Sequence, residues 1–462
     1  MGIGNKSAPK IWRAGTLTYT SIGLVFLLLW LLWGDLAWQM KERAVIGVAQ
    51  VMVKSYGVSD LIYTLLVISL PNFTNIFLMP IVSYRSDRHR SKWGRRVPYL
   101  MMNTPIVMIG LIGLGFTNQI GELLHSGILP GLDLNLCKFI SFAFFWILLD
   151  LGTTLTNAIF MALSNDVVPP ELIGRFVSIF RGASLMCAVI FNYFLFGYAL
   201  EHVLIVFVGL AIFYGIGLFS MCLMVKEGEY PPVPVCEERA GGPISALFSY
   251  FKVCFKMPYY RWVIAAQTIS ALSVLPINCF VVIHAKQMGM DMGYFGKVGA
   301  CVPLFAMLTS YPLGILADKF HPIRTGMLSM GALSIVLAVG GFLIHGETSF
   351  LVVYLIHGVL IMTFNTLTTS YGQRLFPRIL YAQFNSALEL CRALSTVVLS
   401  VLTGWFFDYT GVDYRYMYTI GAVFGISGTL MYIKVYSYYK LYGGDQNYQA
   451  PLLGTETEKA RA

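Results

Sequence analysis

The stretch Trp30-Leu31-Leu32-Trp33-Gly34-Asp35-Leu36-Ala37-Trp38 sets one carboxylate among three indoles. Aromatic rings stack on the apolar faces of a hydroxylated ring, and a carboxylate accepts from its hydroxyls, so this pattern suits a sugar. Gln39 and Glu42 follow one and two helical turns further on the same face. A second constellation is Asp150, Thr153, Thr154 and Asn157, whose spacing also gathers them on one helical face. Arg181 offers a planar fork of donors to a hydroxyl or an acid, with Asp166 or Glu171 as its structural alternative. Glu389 and Arg392 are three residues apart. They form a local ion pair, or Glu389, about 10 Å along its helix, serves as a proton carrier. His357, Asn365, Gln267 and Asn278 are single polar residues in apolar runs; joining helices is their simplest role.

The elements that must position these residues cross a membrane. Of 462 residues, 57% are hydrophobic and only 12% charged, against about 25% charged in a soluble domain. This excludes a soluble enzyme and a disordered chain. The net charge of +9 does not signal nucleic acid, because the cations sit between apolar runs. The eight cysteines lack paired spacing, so neither a disulfide framework nor a metal site is expected. A spanning helix needs about 20 mostly apolar residues. Twelve such runs are predicted, over 17–52, 58–84, 97–117, 138–163, 176–199, 203–225, 262–284, 296–317, 326–345, 350–371, 382–405 and 415–437. The first could instead stop at Gly34 and leave a loop, which would make the tryptophans an interfacial belt. The apolar stretch 44–53 and the lack of proline favour one long helix with Asp35 near mid-membrane. Segments on the side of the N-terminus hold 23 of the 32 Lys and Arg and those on the other side 7. This bias places both termini in the cytoplasm.

Six spans precede a polar segment at 226–261 and six follow it. The expected organisation is therefore a bundle over 1–225, a cytoplasmic linker over 226–261 with an amphipathic stretch from Ile244 to Lys256, a bundle over 262–440 and a tail over 441–462. Asp87 lies in the loop after the second span and Asp318 in the loop after the eighth, half the chain length apart. An Asp with Arg or Lys at a helix end can form charge-assisted bonds that hold one conformation and break in another. Asp87, Arg88, Gly94, Arg95, Asp318 and Lys319 are thus candidate gating residues. For the arginines, retention of the loop on the inner side is the simpler reading.

Gly314-Ile315-Leu316-Ala317-Asp318-Lys319, with Arg324 beyond, resembles the loop signature of the major facilitator fold. The loop from Ser86 to Tyr99 (SDRHRSKWGRRVPY) resembles that of the glycoside–pentoside–hexuronide cation symporters and sucrose carriers. The run from Asn157 to Glu171, followed by Gly174-Arg175, is similar to the end of the fourth helix and the next loop in the same group. The resemblance implies an all-α, twelve-helix protein in two six-helix bundles that moves a sugar or glycoside by alternating access. It sets Asp35 near a sugar-binding aspartate of melibiose-type carriers and Arg181 near a sugar-site arginine. Asn157, Asn75 and Met79 stand where those carriers have acidic cation ligands. A sodium ion wants several oxygens with negative charge nearby, so these neutral residues point to a proton as the coupling ion and away from sodium. Candidate substrate and ion residues are Asp35, Trp38, Glu42, Asp150, Asn157, Arg181, Glu389 and Arg392.

No cofactor is expected, and no catalytic motif or ATP-binding loop occurs in the sequence. The expected partners are a small solute and the bilayer, with no nucleic acid, and the chain is expected to be a monomer in the plasma membrane. The rival readings are a carrier of another solute (an organic acid, a peptide or a drug) and a transporter-like receptor that binds without translocating. An organic acid would use Arg181 and Arg392 as charge partners, against which Asp35 and Glu42 would work.

Overall fold

The structure is a computed structural model, described over residues 11–230, 254–411 and 413–451. Among these residues, twelve helices are long and apolar enough to cross a membrane. They are α1 (Ser21–Ser55), α2 (Asp60–Arg88), α3 (Val97–Gly115), α4 (Leu134–Val167), α5 (Pro170–Glu201), α6 (Val203–Met224), α7 (Pro258–Gln287), α8 (Met292–Phe320), α9 (Pro322–Leu343), α10 (Glu347–Leu375), α11 (Gln383–Thr410) and α12 (Tyr416–Leu441). Each predicted span has its helix. A short antiparallel hairpin, β1 (Trp12–Ala14) and β2 (Leu17–Tyr19), precedes them. The amphipathic stretch expected from Ile244 falls almost wholly outside the described residues.

The first span is one uninterrupted helix, so Asp35 stands inside it and not in a loop. Thr20 starts it by accepting from the Gly23 N–H at 3.2 Å. Asp133 and Asp291 cap α4 and α8 in the same way. Packing between helices in lipid has little hydrophobic drive and relies on close backbone approach. A Cβ on Gly110 of α3 would lie 2.9 Å from Leu149 Cα of α4, and one on Gly425 of α12 would lie 2.7 Å from the Ser334 hydroxyl of α9.

Two compact units are present: Met1–Val58 with Thr74–Pro234, and Ser59–Phe73 with Val235–Ala462. In the first, α3 packs on α4 and α6, and α1 on α5 and α6. In the second, α9 packs on α10 and α12, and α7 on α11 and α12. The pairing is the same after a shift of six helices, as expected of a parallel repeat. The first part of α2 belongs to the second unit. There Tyr63 donates to the Cys279 carbonyl at 2.6 Å, and the Ser69 and Ser400 hydroxyls lie 2.8 Å apart.

Candidate functional site

In the first unit α1, α4 and α5 line an open-sided cavity of about 270 Å³. Four predicted residues line it together: Asp35, Trp38, Asn157 and Arg181. Phe160 and Phe180 add aromatic walls, their rings stacked at 5.8 Å. Asp35 is only 3% exposed. Its Oδ1 accepts from Gln39 Nε2 at 3.3 Å. The chain of bonds then continues, with Ser184 donating to Gln39 Oε1 at 2.8 Å and Arg43 donating to Ser184 at 2.7 Å. This relay fixes the carboxylate's orientation from two helices. Asp35 Oδ2 and Trp38 Nε1 are buried without a protein partner among the described residues. Both side chains line the cavity, and each keeps one buried, unsatisfied polar atom, which is costly.

Two sequence expectations need correction. Of the three tryptophans only Trp38 lines the cavity: Trp33 turns its indole N–H to Ser220 of α6 at 3.1 Å and meets the Phe213 ring edge-on. Glu42 shares the helical face of Asp35 but not its cavity. Glu42 Oε2 is 2.8 Å from the Lys41 ammonium, which also donates to Thr153 at 3.0 Å. Asp150 accepts from the Thr74 hydroxyl at 2.7 Å. The pairing of Glu42 with Lys41 follows from their adjacency, whereas the reach of Lys41 to α4 has no signal in the local sequence.

In the second unit, Glu389 and Arg392 line a separate cavity of about 210 Å³ with Gln267, Asn365, Tyr381 and Asn385. They are paired at 2.9 Å, and Arg392 also donates to Gln267 Oε1 at 2.6 Å. Gln267 in turn donates to the Tyr432 hydroxyl at 2.9 Å. The local ion pair is thus the observed arrangement for Glu389.

Asp87 and Asp318, expected in loops, stand in the last turns of α2 and α8, and both are paired. Asp87 bonds Arg96, and Asp318 bonds Arg374 at the end of α10. Arg95 embraces Asp166 through Nε at 3.1 Å and Nη2 at 2.6 Å, and lies 4.0 Å from the Tyr230 ring. Burial opposes the charge of Arg95, yet bonding and attraction to Asp166 hold its pKa above the ordinary value. Asp166, the structural alternative expected for Arg181, is bonded by Arg95 and Arg96. Gly94 has φ +102°, a region L residues rarely adopt. Arg88 and Lys319, in the last turns of α2 and α8, are exposed.

Sequence reading missed Glu227. Its carboxylate accepts from the backbone N–H groups of Arg95, Arg96 and Val97 at 3.0, 2.8 and 2.7 Å. These are the free donors at the start of α3, where a negative charge is favoured.

Residues 39–400 match the Major Facilitator Superfamily. Solved structures share the fold. A bacterial homologue of the iron transporter ferroportin, in an inward-facing state, has a TM-score of 0.62 at 17% identity and covers 89% of this chain and 99% of its own. A peptide transporter in complex with sulfate has a TM-score of 0.64 at 14% identity, covering 90% and 95%. A D-xylose–proton symporter has a TM-score of 0.64 at 14% identity, covering 89% and 98%. Comparison with curated protein sequences gives no match. With twelve spans, a repeated helix pairing and a family match over most of its length, this chain belongs to the Major Facilitator Superfamily of membrane transporters.

Proposed function

We propose that this carrier moves a sugar or glycoside by alternating access, in symport with a proton. One observation supports this above the rest. The cavity is lined by the Asp35 carboxylate and the Trp38 indole, each with one buried and unsatisfied polar atom, beside two phenylalanine rings and Arg181. A hydroxylated ring matches that set: its hydroxyls donate to Asp35 and accept from Trp38 and Arg181, and its C–H face stacks on an aromatic wall. The fold does not choose the substrate, since solved structures of this shape are described as iron, peptide and D-xylose transporters. An organic acid fits less well, because Arg392 is already matched by Glu389 and Asp35 would repel an anion. The excess of Lys and Arg on one side favours cytoplasmic termini in a plasma membrane, and we read the chain as a monomer.

The test is counterflow in proteoliposomes loaded with mono- and disaccharides, glycosides and organic acids, at two pH values, with and without sodium. Exchange of a sugar, faster at the pH that supplies protons and indifferent to sodium, is the expected result. Exchange of acids alone, or binding without exchange, withdraws the sugar assignment.

A further inference from the structure

Lys41 lies inside a membrane-spanning helix and is 2% exposed. Removing an ammonium from water costs several kcal/mol unless it is paired and fully bonded. Its partners are Glu42 Oε2 and the Thr153 hydroxyl, and its Nζ lies 5.4 Å from the Trp38 ring centre. One turn before Thr153 on α4 is Asp150, held by Thr74 of α2 and within electrostatic reach of both Lys41 and Glu42. The Tyr214 hydroxyl of α6 lies within electrostatic reach of Glu42 and 3.0 Å from the Thr156 hydroxyl. Arg43 turns the other way, to Ser184 of α5. The cluster therefore joins α1, α2 and α4 through one fixed cation and two carboxylates, a formal net charge of minus one.

We propose that Lys41 is a tethered cation filling the place of a metal ion, and that the cluster is completed by a single proton on Asp150. The two carboxylates differ in their partners. Glu42 is neutralised directly by the ammonium, whereas Asp150 accepts from a neutral hydroxyl. One proton passed from a hydronium ion to Asp150 breaks one O–H bond there, forms one on the carboxylate, releases water and leaves the cluster neutral. A sodium ion would need several oxygens, yet the Glu42 and Thr153 oxygens are turned to the ammonium, which also repels a second cation. This deepens the proton-symport reading by naming its acceptor and a stoichiometry of one, and it rests on that reading only for its role in transport.

The test uses the full chain in lipid vesicles and no transported solute, so failure of sugar counterflow does not touch it. Infrared difference spectra on lowering the pH should show a carboxylic-acid C=O band that is lost in Asp150→Asn and appears only at lower pH in Glu42→Gln, where Lys41 and the ionised Asp150 already leave the cluster neutral. The melting temperature should be the same in sodium chloride and choline chloride for the native chain and for Lys41→Arg, which keeps the fixed charge. Lys41→Gln should become sodium-stabilised. A band that survives Asp150→Asn, or sodium stabilisation of the native chain, overturns the proposal. Sodium-indifference of a folded Lys41→Gln overturns the tethered cation. Should Lys41→Gln not fold, the Asp150→Asn spectrum and the native melting curves decide.

Discussion

Asp408, at the end of α11, accepts the backbone N–H groups of Asp60 and the adjacent Leu61, both at 2.7 Å. The side chain of Asp60 is held in turn by the Tyr414 hydroxyl at 2.8 Å. One carboxylate thus satisfies free donors at the start of α2, where the helix dipole favours negative charge. It explains why the first part of α2 belongs to the same compact unit as α11. Burial and the Asp60 carboxylate push the Tyr414 hydroxyl pKa far up, so it stays a donor.

Replacing Asp408 with Asn keeps one acceptor and removes the charge. Helix-terminus charges contribute about 0.3–1 kcal/mol, or ~2 kcal/mol in partly buried geometry. Asp408→Asn should lower the melting temperature by a few degrees, and Asp408→Ala by more. An unchanged melting curve for Asp408→Ala would show that this contact contributes nothing to the second unit.

Glu227 plays the corresponding part at the start of α3, with three backbone donors. Glu227→Ala leaves those donors to water and removes the shorter of two Tyr230 bonds, at 2.8 Å to Glu227 and 3.3 Å to Asp166. A loss of about 1–2 kcal/mol is expected, together with faster amide exchange at Arg95, Arg96 and Val97. Gly94→Ala should do more damage, because its φ is +102° and the added Cβ would lie 2.4 Å from the Glu227 carboxyl carbon. Hydrogen exchange on the two variants compares them directly.

The fold was legible because the bilayer demands long apolar helices, so all twelve could be counted. Their ends were less so. The fourth span begins at Leu134 and not at 138, since Asp133 caps it there. The fifth begins near Pro170, whose ring suits the first turn. Asp35, Asn157 and Arg181 could be proposed because each interrupts an apolar run, and the helices do bring them to one cavity. Lys41 was legible as a neutralising partner of Glu42, but its reach to Thr153 was missed, as were Ser184 and Glu227, for a shared reason. Their partners lie 112, 145 and about 131 residues away, and no local spacing encodes such a contact.

Asp35→Asn isolates the charge in the cavity. The amide oxygen can still accept from Gln39, so the relay to Ser184 and Arg43 is preserved and the protein should melt normally. A hydrogen bond to a charged group contributes about 1.5–3 kcal/mol, which is roughly a 10- to 100-fold loss of affinity for a hydroxylated ligand. Counterflow of the sugar identified in the native chain is the readout. Normal exchange by Asp35→Asn would remove this carboxylate from the binding site.

His321, between α8 and α9, gives a pH dependence whose sign can be worked out. It has φ +68°, and its Nδ1 accepts from the Ile323 N–H at 3.3 Å. Burial, reinforced by the nearby Arg374 and Arg324 cations, lowers its pKa from 6.5 to about 4. The folded protein therefore favours the neutral ring, which is also the form whose Nδ1 can accept. Above the ordinary value of 6.5 both folded and unfolded chains hold the ring neutral, and the site is silent. As the pH falls from about 6.5 to about 4, the unfolded chain binds a proton that the folded chain refuses, so stability is lost across that window. Asn at this position caps a helix well and tolerates a positive φ. His321→Asn should therefore flatten the melting temperature between pH 6.5 and 4 while leaving it nearly unchanged at pH 8. An equally steep fall in the variant would assign the acid sensitivity to other groups.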